Sequence, residues 1–230
     1  MAHVLVTGAN RGLGLEFTRQ LLARGERVIA TCRQPGRALE LTRLAGEHPG
    51  HLTVLPLTLP EARSIAELAR EIEALDLAIR LLINNAGLTI AGERFGTIEL
   101  AGLHGAFAAN AAGPFLLTQA LAPSLVDGAK VVNLSSRLGS ITLTDALYTP
   151  SYAISKAALN MTSKLLSIAL SEQHGIVVAI SPGWVRTDMG GANAPLAAAD
   201  SVVAMLAVID RLAATDQGKF LSHEGTEIPW

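Results

Sequence analysis

The stretch Thr7-Gly8-Ala9-Asn10-Arg11-Gly12-Leu13-Gly14 decides the fold of this chain. It follows directly on the apolar run His3-Val4-Leu5-Val6. Leu15, Leu21 and Leu22 then recur at helical spacing, with Gly25 as a stop. The pattern predicts a strand over 3–7, a glycine-rich turn and a helix over 12–23. Gly8 permits a tight turn, Gly12 lets the backbone approach a pyrophosphate, and Gly14 allows the helix to pack closely on the strand. The helix N-terminus then offers unpaired N–H groups to an anion. Asn10, Arg11 and Leu13 complete the expected cradle. The spacing is G-x3-G-x-G rather than G-x-G-x-x-G. The glycines alone would suit any strand-to-helix turn; their place between strand and helix points to a dinucleotide.

Outward from this turn the chain alternates β-branched runs with longer helical ones. Further strands are expected over 27–32, 52–57, 79–84, 130–135, 176–181 and 219–221. Helices are expected over 36–46, 60–75, 99–125, 151–173 and 195–213. Pro60 opens the third helix, and Pro114 should kink the fourth helical region. The alternation predicts an α/β fold, a parallel sheet with helices on both faces. No repeat, low-complexity tract or linker interrupts residues 1–230, so one domain is expected. The tail 223–230 reads as irregular.

Composition narrows the function classes. Of 230 residues, 50% are hydrophobic and only 4% aromatic, so the apolar content is mostly Ala, Leu, Val and Ile. That composition suits packed helices and parallel strands and excludes global disorder. A formal net charge of −2 implies no basic face, which argues against a nucleic-acid partner. A single cysteine, Cys32, excludes an internal disulfide framework. The histidines show no metal-ligand spacing, so no metal site is expected. Met1 leads straight into the first strand with nothing resembling a signal peptide. No uncharged apolar stretch is read as approaching the roughly 20 residues of a membrane span. A cytoplasmic protein without a membrane partner is the expectation.

About 20 residues beyond the turn, an acid would normally hold the ribose 2′-hydroxyl. Cys32 stands there, followed by Arg33. An acid would also repel a 2′-phosphate. Its absence, with Arg33 and Arg11 flanking the same corner, favours NADP(H) over NAD(H). Cys32 itself reads as a small strand residue rather than a nucleophile.

Three further motifs follow in order. Strand four ends in Asn84-Asn85-Ala86-Gly87, and strand five in Asn133-Leu134-Ser135-Ser136. The next helix opens with Tyr152-Ala153-Ile154-Ser155-Lys156. Together with the Thr7–Gly14 turn, these resemble the short-chain dehydrogenase/reductase family over essentially the whole chain. Residues 30–33, Pro182 through Met189 and the final Pro229-Trp230 look like the C-factor-like and sniffer-like carbonyl reductase subgroup. The resemblance implies a doubly wound Rossmann-type domain with seven parallel strands in the order 3-2-1-4-5-6-7. Its ligand should lie at the strands' carboxyl ends, at the switch between strands one and four.

The implied reaction is hydride transfer from NADPH to an aldehyde or ketone, reversible with the alcohol. Tyr152 and Lys156, four apart on a helix, share a face. Tyr152 would be the general acid or base. Lys156 would lower its pKa from the ordinary value of about 10 and bind the nicotinamide ribose. Ser136 would orient the carbonyl oxygen. Ser140 is a remote competitor for that role, because the interval from Ser136 to Tyr152 is longer than usual. Tyr148 has no lysine four residues on. Asn110 would hold, through its main chain, a water that continues the proton relay. Asn84 reads as structural, whereas Asn85, Ala86 and Gly87 would line the adenosine-ribose side. After strand six, Pro182, Gly183, Val185 and Thr187 would meet the carboxamide and phosphates, with Trp184 and Met189 beside the substrate. Where the family usually has an aspartate that meets the adenine amine, this chain has Thr58, so a backbone contact from Leu59 is the remaining anchor.

Two rival classes stay open. One is a non-catalytic NADP(H)-binding sensor or regulator, and the other a scaffold that uses the fold alone. Retention of Ser136, Tyr152 and Lys156 favours the enzyme, with a small-molecule carbonyl or alcohol as its partner. The long helices after strands four and five offer a surface for a homodimer.

Overall fold

Seven strands, the central ones buried along most of their length, form one wholly parallel sheet. A computed structural model describes residues 2–230. The strands are β1 (His3–Thr7), β2 (Val28–Cys32), β3 (Leu52–Pro56), β4 (Ile79–Asn84), β5 (Leu125–Leu134), β6 (Ile176–Ser181) and β7 (Phe220–Ser222). Their order is β3-β2-β1-β4-β5-β6-β7, every neighbouring pair parallel, as expected. The helices are α1 (Gly12–Ala23), α2 (Leu39–Glu47), α3 (Ala62–Ala74), α4 (Leu100–Phe107), α5 (Gly113–Leu121), α6 (Pro150–Ala169) and α7 (Ala198–Arg211).

Alternation along the strands divides the core in two. Val4, Val6, Val28, Ala30, Ile83, Val132 and Ile180 point to one face, where Phe17 and Leu21 of α1 and Met205 of α7 cover them. Leu5, Ile29, Leu82, Val131 and Val177 point to the other, under Ile72 of α3, Leu117 of α5 and Leu166 of α6. Both strand faces are therefore apolar, the pattern of a sheet covered on two sides.

Several boundaries differ from expectation. Pro60 does not open α3: Glu61 N–H closes a turn onto the Thr58 carbonyl, and the helix begins at Ala62. The break in the fourth helical region precedes Pro114. Residues Ala108–Ala112 form a π-helical turn, in which Gly113 N–H reaches back to the Ala108 carbonyl. Pro114 then sits in the first turn of α5, where its missing N–H is harmless. The tail is ordered. Glu227 bridges antiparallel to Leu221, Ile228 N–H bonds the Phe220 carbonyl, and the Trp230 ring stacks on Phe220 at 5.6 Å between centroids. The edge strand β7 is thereby covered.

One expectation is overturned. The helical run Leu100–Ser124 spans 25 residues and contains an 18-residue window with a mean hydropathy of 1.2, long and apolar enough by length and composition alone to cross a membrane. Its apolar character has a use in the fold, since α4 packs on α6 and α5 on α3.

Polar side chains tie the middle of the sheet. Asn84 Nδ2 donates to Asn133 Oδ1 at 2.8 Å and to Thr118 Oγ1 at 3.2 Å, and Asn133 Nδ2 donates to Ser163 Oγ at 2.9 Å. These bonds link β4, β5, α5 and α6, the structural role read for Asn84. At the sheet's carboxyl edge, α1 presses directly on β1. A Cβ on Gly14 would collide with the Gly8 carbonyl oxygen and lie 2.5 Å from Asn85 Nδ2.

Gly14→Ala should therefore overpack this junction and cost about 1–3 kcal/mol. Gly46, near the end of α2, has nothing within 4 Å of its Cβ position. Gly46→Ala should stabilise by about 0.5–1 kcal/mol. Urea denaturation of both variants distinguishes the two glycines; equal effects would refute the contact argument.

Candidate active site

The carboxyl ends of β1, β2, β4, β5 and β6 enclose a cleft of about 300 Å³. Its floor is the turn after β1. Gly8 and Gly12 take left-handed backbone, φ +63° and +54°. The Gly8 position is forced by the next strand, because a Cβ there would stand 3.0 Å from the Ala86 Cα. Thr7 Oγ1 accepts the N–H groups of Asn85 and Ala86 at 3.0 and 2.9 Å, and Asn85 Nδ2 donates to the Thr7 carbonyl at 2.7 Å. The β1 and β4 termini are thus fixed against each other at the switch point.

Helix α1 starts at this turn with no side-chain cap and no acidic residue in its first turn. Its uncapped N–H groups and positive dipole end open into the cleft, an arrangement that suits a pyrophosphate. Gly8, Asn10, Arg11, Gly12, Leu13, Asn85, Ala86 and Gly87 all line it. At the end of β2, Cys32 and Arg33 do so too. Among the described residues Arg33 makes no ion pair. Arg11, in contrast, pairs with Asp188 at 2.6 Å across the cleft mouth. Asp188 was not singled out by the sequence, although it stands in the Thr187-Asp188-Met189 segment; only the fold brings it opposite Arg11. Leu57 and Leu59 line the cleft, whereas Thr58 does not: its N–H is held by Ser64 Oγ at 2.9 Å.

The far end carries Tyr152, Lys156, Leu134 and Ser135. Of the two serines after β5, Ser135 is buried and donates to Asn160 Oδ1 at 2.6 Å. Ser136 is half-exposed; its Oγ accepts the Leu138 N–H at 3.2 Å, and its hydroxyl meets the Tyr152 phenol. Ser140 is spent on the Pro229 carbonyl at 2.6 Å, which removes it as a competitor. Burial pushes the Tyr152 phenol up to about 12, with the Ser136 hydroxyl pulling the other way. Burial brings the Lys156 ammonium down to about 8. Lys156 Nζ donates to the Leu134 carbonyl at 2.7 Å and lies 5.5 Å from the centre of the Tyr152 ring. The ammonium faces the ring rather than the phenol oxygen, as in a cation–π pair. In the protein without a bound nicotinamide, desolvation dominates at Tyr152.

Asn110 lies in the π-helical turn and is fully buried. Its Oδ1 accepts Leu88 N–H at 2.8 Å, while its Nδ2 donates to the Leu88 carbonyl at 2.8 Å and to Ser155 Oγ at 2.9 Å. The side chain is saturated, so only its main chain remains for other partners. Pro114 offers no N–H to that carbonyl four residues back. After β6, Pro182, Thr187 and Met189 line the cleft, whereas Gly183, Val185 and the exposed Trp184 do not. The Trp184 indole donates to the Gly190 carbonyl at 2.8 Å and closes this loop. Val185 is buried and bridges Leu196. Among the described residues no cluster of His, Cys, Asp and Glu could hold a metal.

Residues 2–195 match the family model for short chain dehydrogenase. The chain is 41% identical to C-signal of Myxococcus xanthus over 154 residues, which cover 66% of this chain and 93% of that protein. The carbonyl reductase Sniffer of D. melanogaster superposes with a TM-score of 0.95 at 33% identity, covering 100% of both chains. The NADPH-bound carbonyl reductase from chicken fatty liver superposes with a TM-score of 0.93 at 38% identity, covering 100% of this chain and 99% of that one.

The buried lysine sets a pH dependence. Below pH 8 folded and unfolded chains both carry the Lys156 charge, and the burial cost is present in full. Between pH 8 and the ordinary 10.5 the folded chain gives up this proton first. Stability should rise over that window by up to roughly 3 kcal/mol. The rise should be missing from Lys156→Met. Urea midpoints of both proteins from pH 7.5 to 9.5 check this; parallel curves would contradict it.

Proposed function

The chain belongs to the short chain dehydrogenase family, and from that premise we propose that it reduces an aldehyde or ketone to the alcohol with NADPH. The observation that carries this reading is the placement of Tyr152 and Lys156 in one cleft with an uncapped helix N-terminus suited to a pyrophosphate. The likeness to Sniffer and to the NADPH-bound chicken reductase supports the choice of substrate class and cofactor.

The residues present fit NADPH. The left-handed glycines of the turn and the α1 N–H groups would hold the pyrophosphate. Leu57 and Leu59 would flank the adenine, and the unpaired Arg33 would meet the 2′-phosphate. Arg11 would join it by exchanging Asp188 for the phosphate. Lys156 would bind the nicotinamide ribose, while Thr187 would face the carboxamide. When bound, the cofactor supplies the hydride.

The chain supplies orientation and a proton. Ser136, its Oγ fixed by Leu138 N–H, hydrogen-bonds the carbonyl oxygen through its hydroxyl and keeps its own proton. Tyr152 Oη then delivers its own proton to that oxygen as negative charge develops. A phenol held above its ordinary pKa is protonated at neutral pH and suits this direction. In the reverse direction the same oxygen must lose a proton, and Lys156 favours that only as an ammonium near it. The Asn110 carbonyl, which Pro114 cannot serve, is placed to hold the water that returns a proton.

Residues 1–230 act as one cofactor-binding and catalytic domain in this reading, in the cytoplasm, with neither nucleic acid nor membrane as partner. Leu100 and Phe107 on α4 and Ile154, Met161, Leu165 and Ile168 on α6 are exposed, which supports a homodimer through these helices.

Tyr152→Phe should lower turnover by about 10²–10⁴-fold while NADPH still binds. A variant with near-normal turnover would remove Tyr152 from the mechanism. For cofactor choice, Arg33→Ala should weaken NADPH by roughly 10- to 100-fold and leave NADH unchanged. Cys32→Asp should shift preference toward NADH by repelling the 2′-phosphate. Dissociation constants of both cofactors for the three proteins decide it; equal losses would make Arg33 an ordinary surface charge.

A further inference from the structure

The first turn of α6 carries Tyr152, yet α6 has a poor start of its own. Thr149, at the position that should cap the helix, has left-handed backbone, φ +39°, a conformation disfavoured for a β-branched residue. Its Oγ1 is buried without a hydrogen-bond partner, and no side chain of the segment caps the helix. Pro150 brings no N–H. Left alone, such a start would fray, and Tyr152 would move with it.

The missing cap arrives from the loop between β4 and α4. Glu93 Oε2 accepts the Ser151 N–H at 3.0 Å, and its Oε1 accepts the Ser151 hydroxyl. Ser151 is buried and immediately precedes Tyr152. Both carboxylate oxygens therefore hold the residue next to the phenol. The position also favours a negative charge, since it faces the positive end of a helix of 20 residues. Space for the carboxylate is kept on the α4 side: a Cβ on Gly102 would stand 3.3 Å from Glu93 Oε1.

We propose that Glu93 is a positioning residue for the reaction, fixing the first turn of α6 and through it the Tyr152 hydroxyl beside Ser136. The proposal rests on Tyr152 as the proton donor. Misplacing a reacting group by an ångström can cost about 10²-fold in rate. The contact also links the chemistry to the middle of the β4–α4 loop, whose first residues, Asn85 to Gly87, line the pyrophosphate cradle.

The test uses Glu93→Ala, Glu93→Gln and Ser151→Ala in the full chain, with NADPH and a carbonyl that the wild type reduces. Glu93→Ala should lower kcat by roughly 10- to 100-fold with NADPH affinity kept within about twofold. Glu93→Gln keeps an acceptor for Ser151 N–H and should recover kcat to within about threefold. Ser151→Ala loses only the hydroxyl half and should fall between them, which keeps the idea testable if the alanine variant at 93 misfolds. Amide exchange at residues 151–153 should quicken about tenfold in Glu93→Ala and not in Glu93→Gln. Exchange does not depend on turnover: a wild type that reduces no carbonyl would sink the proposed reaction, and exchange would still judge the cap. Unchanged exchange, a kcat loss that glutamine fails to restore, or an equal loss of NADPH affinity would each overturn the role of Glu93.

Discussion

The backbone contact between Gly14 and Gly8 governs the rest of this molecule. It sets the start of α1 directly against the end of β1, closer than any side chain permits. That closeness leaves the α1 N–H groups uncapped by protein and open to the cleft. Asn85 completes the junction by bonding the Thr7 carbonyl and packing against the same two glycines. The split between β1 and β4 is thereby both the centre of the sheet and the floor of the site. The geometry explains why the chain spends two left-handed glycines here, where any Cβ-bearing residue would be strained.

A second constraint acts at the other end of the cleft. Lys156 is fully and Tyr152 partly withdrawn from water, and desolvation disfavours the charged form of each. Their opposite shifts share this one cause. The protein alone therefore prepares a neutral phenol and an ammonium that is easily deprotonated. Lys156 is anchored by the Leu134 carbonyl rather than by the phenol oxygen, so the pair is not a simple ion pair waiting to form. A polyhydroxylated ligand beside the lysine would replace lost hydration and restore the ammonium, an effect available only in the loaded cleft.

Support for this end comes from residues with no chemistry of their own. Asn110 spends its whole amide on Leu88 and Ser155, which joins the β4 exit to α6. Ser140 and Thr142 bind the Pro229 and Trp230 carbonyls, so the tail steadies the loop that follows Ser136. Glu93 caps α6 from a third loop. Asn110 and Glu93 thus both hold the start of α6 from the β4 side, while the tail braces the loop after Ser136. The β4–α4 loop serves both ends of the cleft, since its first residues line the cradle and Glu93 holds Ser151.

The strand order followed from the family resemblance; the sequence by itself determined the strands, their alternation with helices and the turn at Gly8–Gly14. These are legible because strand alternation, glycine spacing and the i,i+4 relation of Tyr152 to Lys156 are local properties of the chain. Even so, local reading misplaced the helix break at Pro114, because a π-helical turn depends on where Asn110 must reach. It also took Leu100–Ser124 for less apolar than it is, since the packing on α6 that rewards such a run is invisible in one segment. Only the tertiary structure paired Arg11 with Asp188, brought Glu93 to Ser151 and folded the tail onto residues 140–142. Each joins residues far apart in sequence, and neither spacing nor propensity encodes which distant loops meet. The titration of Tyr152 and Lys156 belongs with these: it is set by burial, which the whole sheet and its helices impose together.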